Sequence, residues 1–313
     1  MNPAIHALTK LAQKADVEVM GIERGYAGLL EGEMRVLDDR AISGMGRRGG
    51  TMLGSSRCPV FMEESGQAAG LERLRDAEIE GLVVIGGDGS LHGAEALHGN
   101  GFPVIGLPGT IDNDLGGTDL GIGVDTALNT IITLVDMIKD TASSHERCFI
   151  VEVMGRRSGY LAAMATVSTN SHVAVIPEFK PDFERIVRVI QARFARKLRN
   201  TIIILAEGVY SAPELTERIV QAGQGIIAND IRSTVLGHVQ RGGAPSHYDR
   251  LLATQLAQEA LVALLDGDSG KMIGKVRGEI VRNDFDTVFR SRLDLRKKMI
   301  GIAKNLGVEF GDY

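Results

Sequence analysis

The chain has 313 residues, 44% of them hydrophobic, with 39 glycines, 4% aromatics, no Trp and a formal net charge of −5 at pH 7. That apolar content excludes extensive disorder and suits two packed cores, while the acidic balance and scarce aromatics argue against a nucleic-acid surface, although a few clustered arginines can still hold a small anion. Two cysteines, Cys58 and Cys148, without CxxC or Cys/His spacing exclude a disulfide scaffold; no apolar run approaches about 18 residues, and the start Met1-Asn2-Pro3-Ala4-Ile5-His6 lacks a signal-peptide pattern, so a cytoplasmic protein is expected.

Along the chain, apolar runs that read as strands each lead into a polar loop. The run 81–85 (Gly-Leu-Val-Val-Ile) ends in Gly86-Gly87-Asp88-Gly89-Ser90, and 103–107 (Pro-Val-Ile-Gly-Leu) ends in Pro108-Gly109-Thr110-Ile111-Asp112-Asn113-Asp114. A helical stripe follows at Leu128, Ile131, Ile132, Val135 and Ile138. The run 149–153 leads into Met154-Gly155-Arg156-Arg157-Ser158-Gly159, and 172–176 ends at Pro177-Glu178. A second helical stripe holds Ile186, Val187, Val189, Ile190 and Phe194. The run 201–205 ends at Ala206-Glu207-Gly208, and Leu251, Leu252, Leu256, Leu261, Leu264 and Leu265 mark a further helix. Near-continuous apolar runs suit strands covered on both faces. Alternation of strands with helices predicts parallel sheets with right-handed crossovers. No internal repeat or linker stands out, so the two domains are expected to exchange chain.

Ligands of open parallel sheets bind beyond the carboxyl ends of the strands. Those ends carry Asp88, Asp112, Asp114, Arg156 and Glu207, the side chains a phosphoryl-transfer site needs. Glycines in Gly86–Ser90 let backbone N–H groups approach a phosphate at a helix N-terminus, and Asp88 can hold Mg²⁺. Taken alone, the same loop serves equally as an ordinary strand-to-helix turn. Asp112 and Asp114 place two carboxylates two residues apart, one able to take a proton from a hydroxyl; alone, an Asp-Asn-Asp run also suits caps and Asx turns. Arg147, Arg156, Arg232 and Arg241 carry guanidinium forks that suit phosphate oxygens, and each by itself is a common surface charge. His238 by itself suits a structural hydrogen bond. Neither a Walker-type loop nor a dinucleotide-binding GxGxxG follows any strand.

Together, Arg48-Gly49-Gly50-Thr51-Met52-Leu53-Gly54-Ser55-Ser56-Arg57, Gly86–Ser90, Pro108–Asp114, Met154-Gly155-Arg156, Ala206-Glu207-Gly208 and Leu236-Gly237-His238-Val239-Gln240-Arg241-Gly242-Gly243 resemble the ATP-dependent 6-phosphofructokinase family, in order and over nearly the whole chain. The resemblance implies two Rossmann-like three-layer αβα domains with mostly parallel sheets: 1–123 with 236–286 for nucleotide, 124–235 with 287–313 for sugar phosphate and effector. It implies transfer of the γ-phosphate of ATP to the 1-hydroxyl of fructose 6-phosphate in glycolysis. Asp112 resembles the general base, with Arg57, Thr110, Asp114 and Arg156 as further catalytic residues. Asp88 resembles the Mg²⁺ carboxylate. Arg57, Cys58, Gly87, Asp88, Gly89 and Ser90 resemble nucleotide contacts. Thr110, Ile111, Asp112, Met154, Gly155, Arg156, Glu207, His238, Val239, Gln240 and Arg241 resemble the sugar-phosphate site. Arg147 and Arg232 resemble arginines reaching the 6-phosphate from a neighbouring subunit, which implies a homotetramer with shared sites and no membrane or nucleic-acid partner.

Within this superfamily, pyrophosphate users carry an acidic residue in place of Gly89 and a lysine in place of Gly109, filling space that ATP needs. The two glycines therefore favour ATP. A pyrophosphate-dependent enzyme and a catalytically impaired regulatory subunit are the alternatives. The chain departs from the family pattern at two places. Met1-Asn2-Pro3-Ala4-Ile5 matches the helix start that usually follows a first strand and glycine-rich loop, so both are expected to be missing, with the true start expected upstream. The positions matching the family's basic-rich effector pocket read His6, Lys10, Asp39, Lys139, His172, Arg196 and Leu198; Asp39 and Leu198 stand in place of basic residues and His172 in place of an acid, so the usual effector control is not expected.

Overall fold

The computed structural model describes residues 1–145, 147–198, 200–225, 230–291, 295, 301 and 305–311. The chain divides into two compact units: Met1–Thr110, Leu115–Asp125 and Gly243–Leu293 form the first, and Ile111–Asp114, Thr126–Gly242 and Asp294–Tyr313 the second. Segment 236–242 thereby lies in the second unit and 287–293 in the first.

The chain begins with α1 (Asn2–Lys14), β1 (Met20–Ile22), α2 (Tyr26–Glu31), β2 (Met34–Val36), α3 (Asp39–Ile42), α4 (Glu64–Asp76), β3 (Leu82–Gly86), α5 (Asp88–Gly99) and β4 (Val104–Pro108). Then follow α6 (Val124–His145), β5 (Cys148–Val153), α7 (Tyr160–Ser168), β6 (Val173–Val175), α8 (Phe183–Ala195), β7 (Thr201–Ala206), α9 (Ala212–Ala222) and β8 (Ile231–Val235). The chain returns to the first unit with α10 (His247–Leu265), β9 (Lys271–Val276), β10 (Glu279–Asp284) and α11 (Phe285–Arg290).

The main sheet of the first unit runs β10-β9-β4-β3. β3 and β4 are parallel, β4 and β9 are parallel, and β9 turns back on β10 as an antiparallel hairpin. Side chains alternate across this sheet, as the pleat requires. Leu82, Val84 and Val104 pack with Leu71, Leu74, Leu91 and Leu97 of α4 and α5. Val83, Ile85, Ile105 and Leu107 pack on the opposite face with α1 and α10. The result is a helix–sheet–helix sandwich. Gly106 keeps it tight, because a Cβ there would stand 2.6 Å from a Leu91 methyl and 2.9 Å from the Phe285 ring.

Among the described strands β3 ends the sheet, and its side away from β4 borders an apolar cavity of about 210 Å³ lined by Ile5, Leu8, Val19, Ile22, Leu37 and Leu53, among others.

The leucine stripe expected for α10 is only partly its buried face. Leu252 and Leu256 are buried, but Leu251 is 45% and Leu265 58% exposed. Ala253, Ala257, Ala260 and Ala263 complete the buried face. α10 packs on α1, whose buried side carries Ala4 and Ala7, and small side chains let the two helices approach closely.

The second unit has a four-stranded parallel sheet, β6-β7-β5-β8. Ile150, Ile203, Leu205, Val173 and Val175 pack beneath α8 and α9 through Ile186, Val187, Ile190, Leu215 and Ile219. α8 is capped by the Asp182 carboxylate, which accepts from the Arg185 N–H, and α9 by a Ser211/Glu214 capping box. Cys148 is buried in β5, and burial raises its thiol pKa to about 12, so it stays an apolar filler. No helix among the described residues is long and apolar enough to cross a membrane.

Candidate active site

In the first unit, the pairing Ile85↔Leu107 and Gly86↔Pro108 brings two glycine-bearing loops to the same sheet end. The Gly109 N–H donates to the Gly86 carbonyl at 2.8 Å, tying the loops together. α5 begins at Asp88 with Gly87 as N-cap, so Asp88, Gly89 and Ser90 form the first helical turn. That turn presents backbone donors and the positive end of the helix dipole. Gly86 has no room for a side chain against Ser90. A Cβ on Gly87 would touch the Thr110 side chain at 3.4 Å, whereas one on Gly89 would meet nothing within 4 Å. Gly89 is therefore the open face of the turn.

The Asp88 carboxylate is half-exposed, and its Oδ1 stands 3.8 Å from His92 Nε2 one helical turn on. No group of three or more His, Cys, Asp or Glu side chains capable of holding a metal occurs among the described residues. Asp88 nonetheless fits Mg²⁺, which typically takes one or two carboxylates and completes its shell with water and phosphate oxygens.

Arg57 is exposed, and Cys58, half-buried, caps the 3₁₀ turn Pro59–Met62. The segment ahead of them is pinned by Asn2, a residue that sequence reasoning missed. Asn2 is 3% exposed. Its Nδ2 donates to the Arg48 and Gly49 carbonyls at 3.2 and 3.0 Å, and its Oδ1 accepts from the Met52 N–H at 2.6 Å. Gly49 in turn abuts the Gly243 carbonyl, so two of the glycine-rich motifs meet backbone to backbone. Asn2→Ala removes three part-buried hydrogen bonds at once, and a loss of about 2–4 kcal/mol is expected from the usual worth of each. Chemical denaturation of the variant beside the parent checks this.

In the second unit, the Asp112 side chain lies in a buried loop that continues from β4. Asp112 is 7% exposed and Asn113, at φ 50°, is 4% exposed. Burial first, and then Asp114, push the Asp112 carboxyl up to about 6; Arg156 and Arg241 oppose that rise, and Glu207 adds to it. Two carboxylates and two guanidinium groups thus set the charge around one buried acid.

Arg156 follows β5 with a positive φ of 51°, after Gly155 at 146°. One carboxylate oxygen of Glu207 holds this strained turn, accepting from the Gly155 and Arg156 N–H groups at 3.3 and 3.1 Å. The Glu207 N–H donates to the Val153 carbonyl at 2.8 Å, which sets its height at the end of the sheet. Gln240 is 1% exposed and is also spent on the main chain. It accepts from Met154 N–H at 3.0 Å and donates to the Gly237 carbonyl at 2.9 Å. These engagements of Glu207 and Gln240 were not visible in the sequence, where both stood as prospective ligand contacts.

His238, Val239 and Arg241 lie exposed on the 3₁₀ turn Gly237–Arg241. Arg232 is exposed on β8, its Nη1 donating to the Ile231 carbonyl at 2.9 Å. Arg147 is half-buried just before β5, its carbonyl accepting from the Thr201 N–H at 3.3 Å. Of the sequence candidates, then, Arg57, Cys58, Gly87 to Ser90 and Thr110 belong to the first unit. Ile111, Asp112, Asp114, Arg147, Met154, Gly155, Arg156, Glu207, Arg232 and His238 to Arg241 belong to the second.

Among the effector positions, Lys10, Asp39 and His172 are engaged locally. Lys10 pairs with Asp39 at 2.6 Å. His172 is lowered to about 4 by burial and by Arg193 and Lys139, and its Nδ1 accepts from the Ile202 N–H at 2.9 Å.

Comparison with known proteins gives a consistent answer. The family model described as phosphofructokinase matches residues 1–264. The ATP-dependent 6-phosphofructokinase of Oceanobacillus iheyensis is 44% identical over 308 residues, covering 98% of this chain and 95% of that protein. The enzyme of the same name from Thermotoga neapolitana is 44% identical over 305 residues, covering 97% and 94%. Among solved structures, phosphofructokinase from Saccharomyces cerevisiae superposes with a TM-score of 0.86 at 31% identity over 98% of this chain; the chain spans 48% of that longer protein. A pyrophosphate-dependent phosphofructokinase from Marinobacter aquaeolei shares the fold, with a TM-score of 0.80 at 23% identity over 93% of this chain and 81% of that one.

Proposed function

The chain belongs to the phosphofructokinase family, and we propose from that premise that it moves the γ-phosphate of ATP onto the 1-hydroxyl of D-fructose 6-phosphate, giving fructose 1,6-bisphosphate. The observation that carries the reading is Asp112: a buried carboxyl at the end of a parallel strand, raised to about 6, in a field shared with Arg156 and Arg241. A base of that affinity is largely ionised near neutral pH and still binds a proton more strongly than an ordinary aspartate.

In this reading Asp112 takes the proton of the 1-hydroxyl as its oxygen attacks the γ-phosphorus, and ADP leaves. Arg156, held forward by Glu207, and Arg57 balance the charge on the transferring group. Thr110 and Asp114 complete the catalytic set. Gly87, Gly89 and Ser90 offer main-chain donors to the phosphates, with Arg57 and Cys58 beside the nucleotide. Asp88 would hold Mg²⁺, which when bound supplies neutralisation of phosphate charge. Ile111, Met154, Gly155, Glu207, His238, Val239, Gln240 and Arg241 shape the sugar-phosphate pocket, some directly and Glu207 and Gln240 in part through the backbone they hold. Arg147 and Arg232 serve the 6-phosphate from a neighbouring subunit of a cytoplasmic homotetramer. Gly89, with open space around it, favours ATP over pyrophosphate. A coupled assay with fructose 6-phosphate, Mg²⁺ and either ATP or pyrophosphate tests the reading; turnover with pyrophosphate alone would overturn the donor assignment.

The pKa of Asp112 has a measurable consequence for stability. Its folded-state value lies above its unfolded value, so the stabilising proton is fully held below about pH 4, and the contribution is lost as pH rises through about 6. Above that pH the buried charge costs about 2–3 kcal/mol relative to a neutral group. Asp112→Asn is therefore expected to melt higher than the parent at pH 8 and alike at pH 4.5. Thermal unfolding across that range checks the sign, and an equal difference at both pH values would show that Asp112 titrates normally.

A further inference from the structure

The first turn of α5 is not held by its own helix alone. The Tyr26 hydroxyl donates to the Ser90 carbonyl at 2.6 Å, across 64 positions of sequence. Tyr26 opens α2 directly after Gly25, which adopts a positive φ of 64°. Its ring lies flat on Phe61, with centroids 4.0 Å apart and planes 9° from parallel. Phe61 sits in the 3₁₀ turn that follows Cys58, and its N–H donates to the Cys58 carbonyl at 3.1 Å. The ring also lies against Gly93, where a Cβ would stand 2.6 Å from Tyr26 Cε2 and 2.7 Å from Cζ. One half-buried phenol therefore ties the Gly87–Ser90 turn to the Arg57–Cys58 segment, through a hydrogen bond at one end and a stacked ring at the other. All of these residues lie within the first unit.

We infer that Tyr26 is a positioning residue for nucleotide binding, fixing the separation between the phosphate-facing turn Gly87–Ser90 and the Arg57–Cys58 segment through its hydroxyl on Ser90 and its ring on Phe61. The inference rests on the assignment of those two segments to the nucleotide. The geometry separates two tasks within one side chain. The ring packs on Phe61 and against Gly93 and contributes to the core. The hydroxyl adds a directional tether on a carbonyl of the first helical turn. Burial raises the pKa of the phenol, which keeps it a donor throughout the working range. Because the helix start is what presents donors to phosphate, a shift of a few tenths of an ångström there is felt by the nucleotide before it is felt by the fold.

The test compares Tyr26→Phe and Gly93→Ala with the parent by calorimetric titration of Mg·ADP and by steady-state kinetics. Tyr26→Phe keeps the stack and removes only the tether, so ADP affinity is expected to fall about three- to tenfold, the usual worth of one hydrogen bond. KM for ATP should rise by the same factor, while KM for fructose 6-phosphate stays within about twofold, as a loss confined to one substrate requires. Gly93→Ala, which pushes the ring from Ser90, should change ADP affinity in the same direction. An unchanged ADP affinity in Tyr26→Phe overturns the inference, and so does an equal rise in both KM values, which would mark a general loosening. If the parent binds no nucleotide, the donor assignment falls and this inference falls with it; if the parent binds and the variant binds equally, the inference alone falls.

Discussion

Asp112→Asn is expected to lower kcat by about 10²–10⁴-fold, the range over which a positioned general base acts, while KM for fructose 6-phosphate changes by less than about threefold. The asparagine keeps the volume and one carbonyl oxygen of the native side chain, so the buried loop retains its packing. It cannot accept the proton of the 1-hydroxyl. Removing the charge also removes the cost of burying it, which pushes the aspartate up to about 6, so the variant should turn over far more slowly and be more stable than the parent at pH 8. Rate and stability thus move in opposite directions, an outcome that general unfolding cannot mimic. The measurement is a coupled assay with saturating ATP, read beside the melting temperature of the same preparation. Turnover within about tenfold of the parent would remove Asp112 from the role of base.

The second large effect concerns the donor. Gly89→Asp is expected to lower kcat/KM for ATP by on the order of 10²-fold, because it displaces the phosphates from their productive position. A Cβ on Gly89 would meet no heavy atom within 4 Å, so the substitution has no steric cost for the fold and its carboxylate enters the region assigned to the nucleotide. It also adds a negative charge beside Asp88 at the start of α5. Gly109 differs. A Cβ there would stand 3.0 Å from Ile85 Cγ2, 3.1 Å from the Gly86 nitrogen and 3.2 Å from Met1 Cε. Gly109→Lys must therefore move its neighbours slightly before its ammonium reaches the same region. The double variant is expected to lose ATP-dependent turnover altogether, with most of the loss already present in Gly89→Asp. Kinetics with ATP and separately with pyrophosphate, supported by melting temperatures, decide the matter: full ATP activity in a folded double variant would defeat the steric account.

Much of the architecture was legible in the chain. The apolar runs ending at Ile85, Leu107, Val153 and Leu205 are β3, β4, β5 and β7, and each is parallel to its neighbour as alternation with helices requires. β4 and β7 are buried throughout and β3 and β5 in part, so their sequences are nearly continuously apolar, and the polar loops at their carboxyl ends stand out by contrast. The stripe through Ile131 and Val135 became the buried side of α6, and that through Ile186, Val187 and Ile190 the buried side of α8. α10 shows where periodicity stops being informative. Its leucines mark a helix but not its inward face, since close contact with α1 favours alanine where a wider gap would take leucine. The β9–β10 hairpin and β8 gave no clear apolar run, because β10 and β8 expose much of their length.

For the candidate site, the sequence by itself determined which chemistry was at hand: carboxylates, guanidinium groups and glycines at strand ends, in motifs of local spacing. Tertiary structure alone decided what each group does with its hydrogen bonds. Glu207 and Gln240 carry the functional groups of ligand contacts, yet they hold the main chain of Met154, Gly155 and Arg156. Asn2 and Tyr26 resemble ordinary helix-start residues, yet one pins the segment 48–52 and the other reaches Ser90. The pKa of Asp112 likewise is raised first by burial and then by Asp114, and the charges that oppose the rise, Arg156 and Arg241, stand far away along the chain. A motif records neighbours along the chain, where spacing constrains geometry. The orientation of a carboxylate, an amide or a phenol is set by groups that only the completed fold brings within hydrogen-bond reach, because such bonds act over about 3 Å whatever the sequence separation.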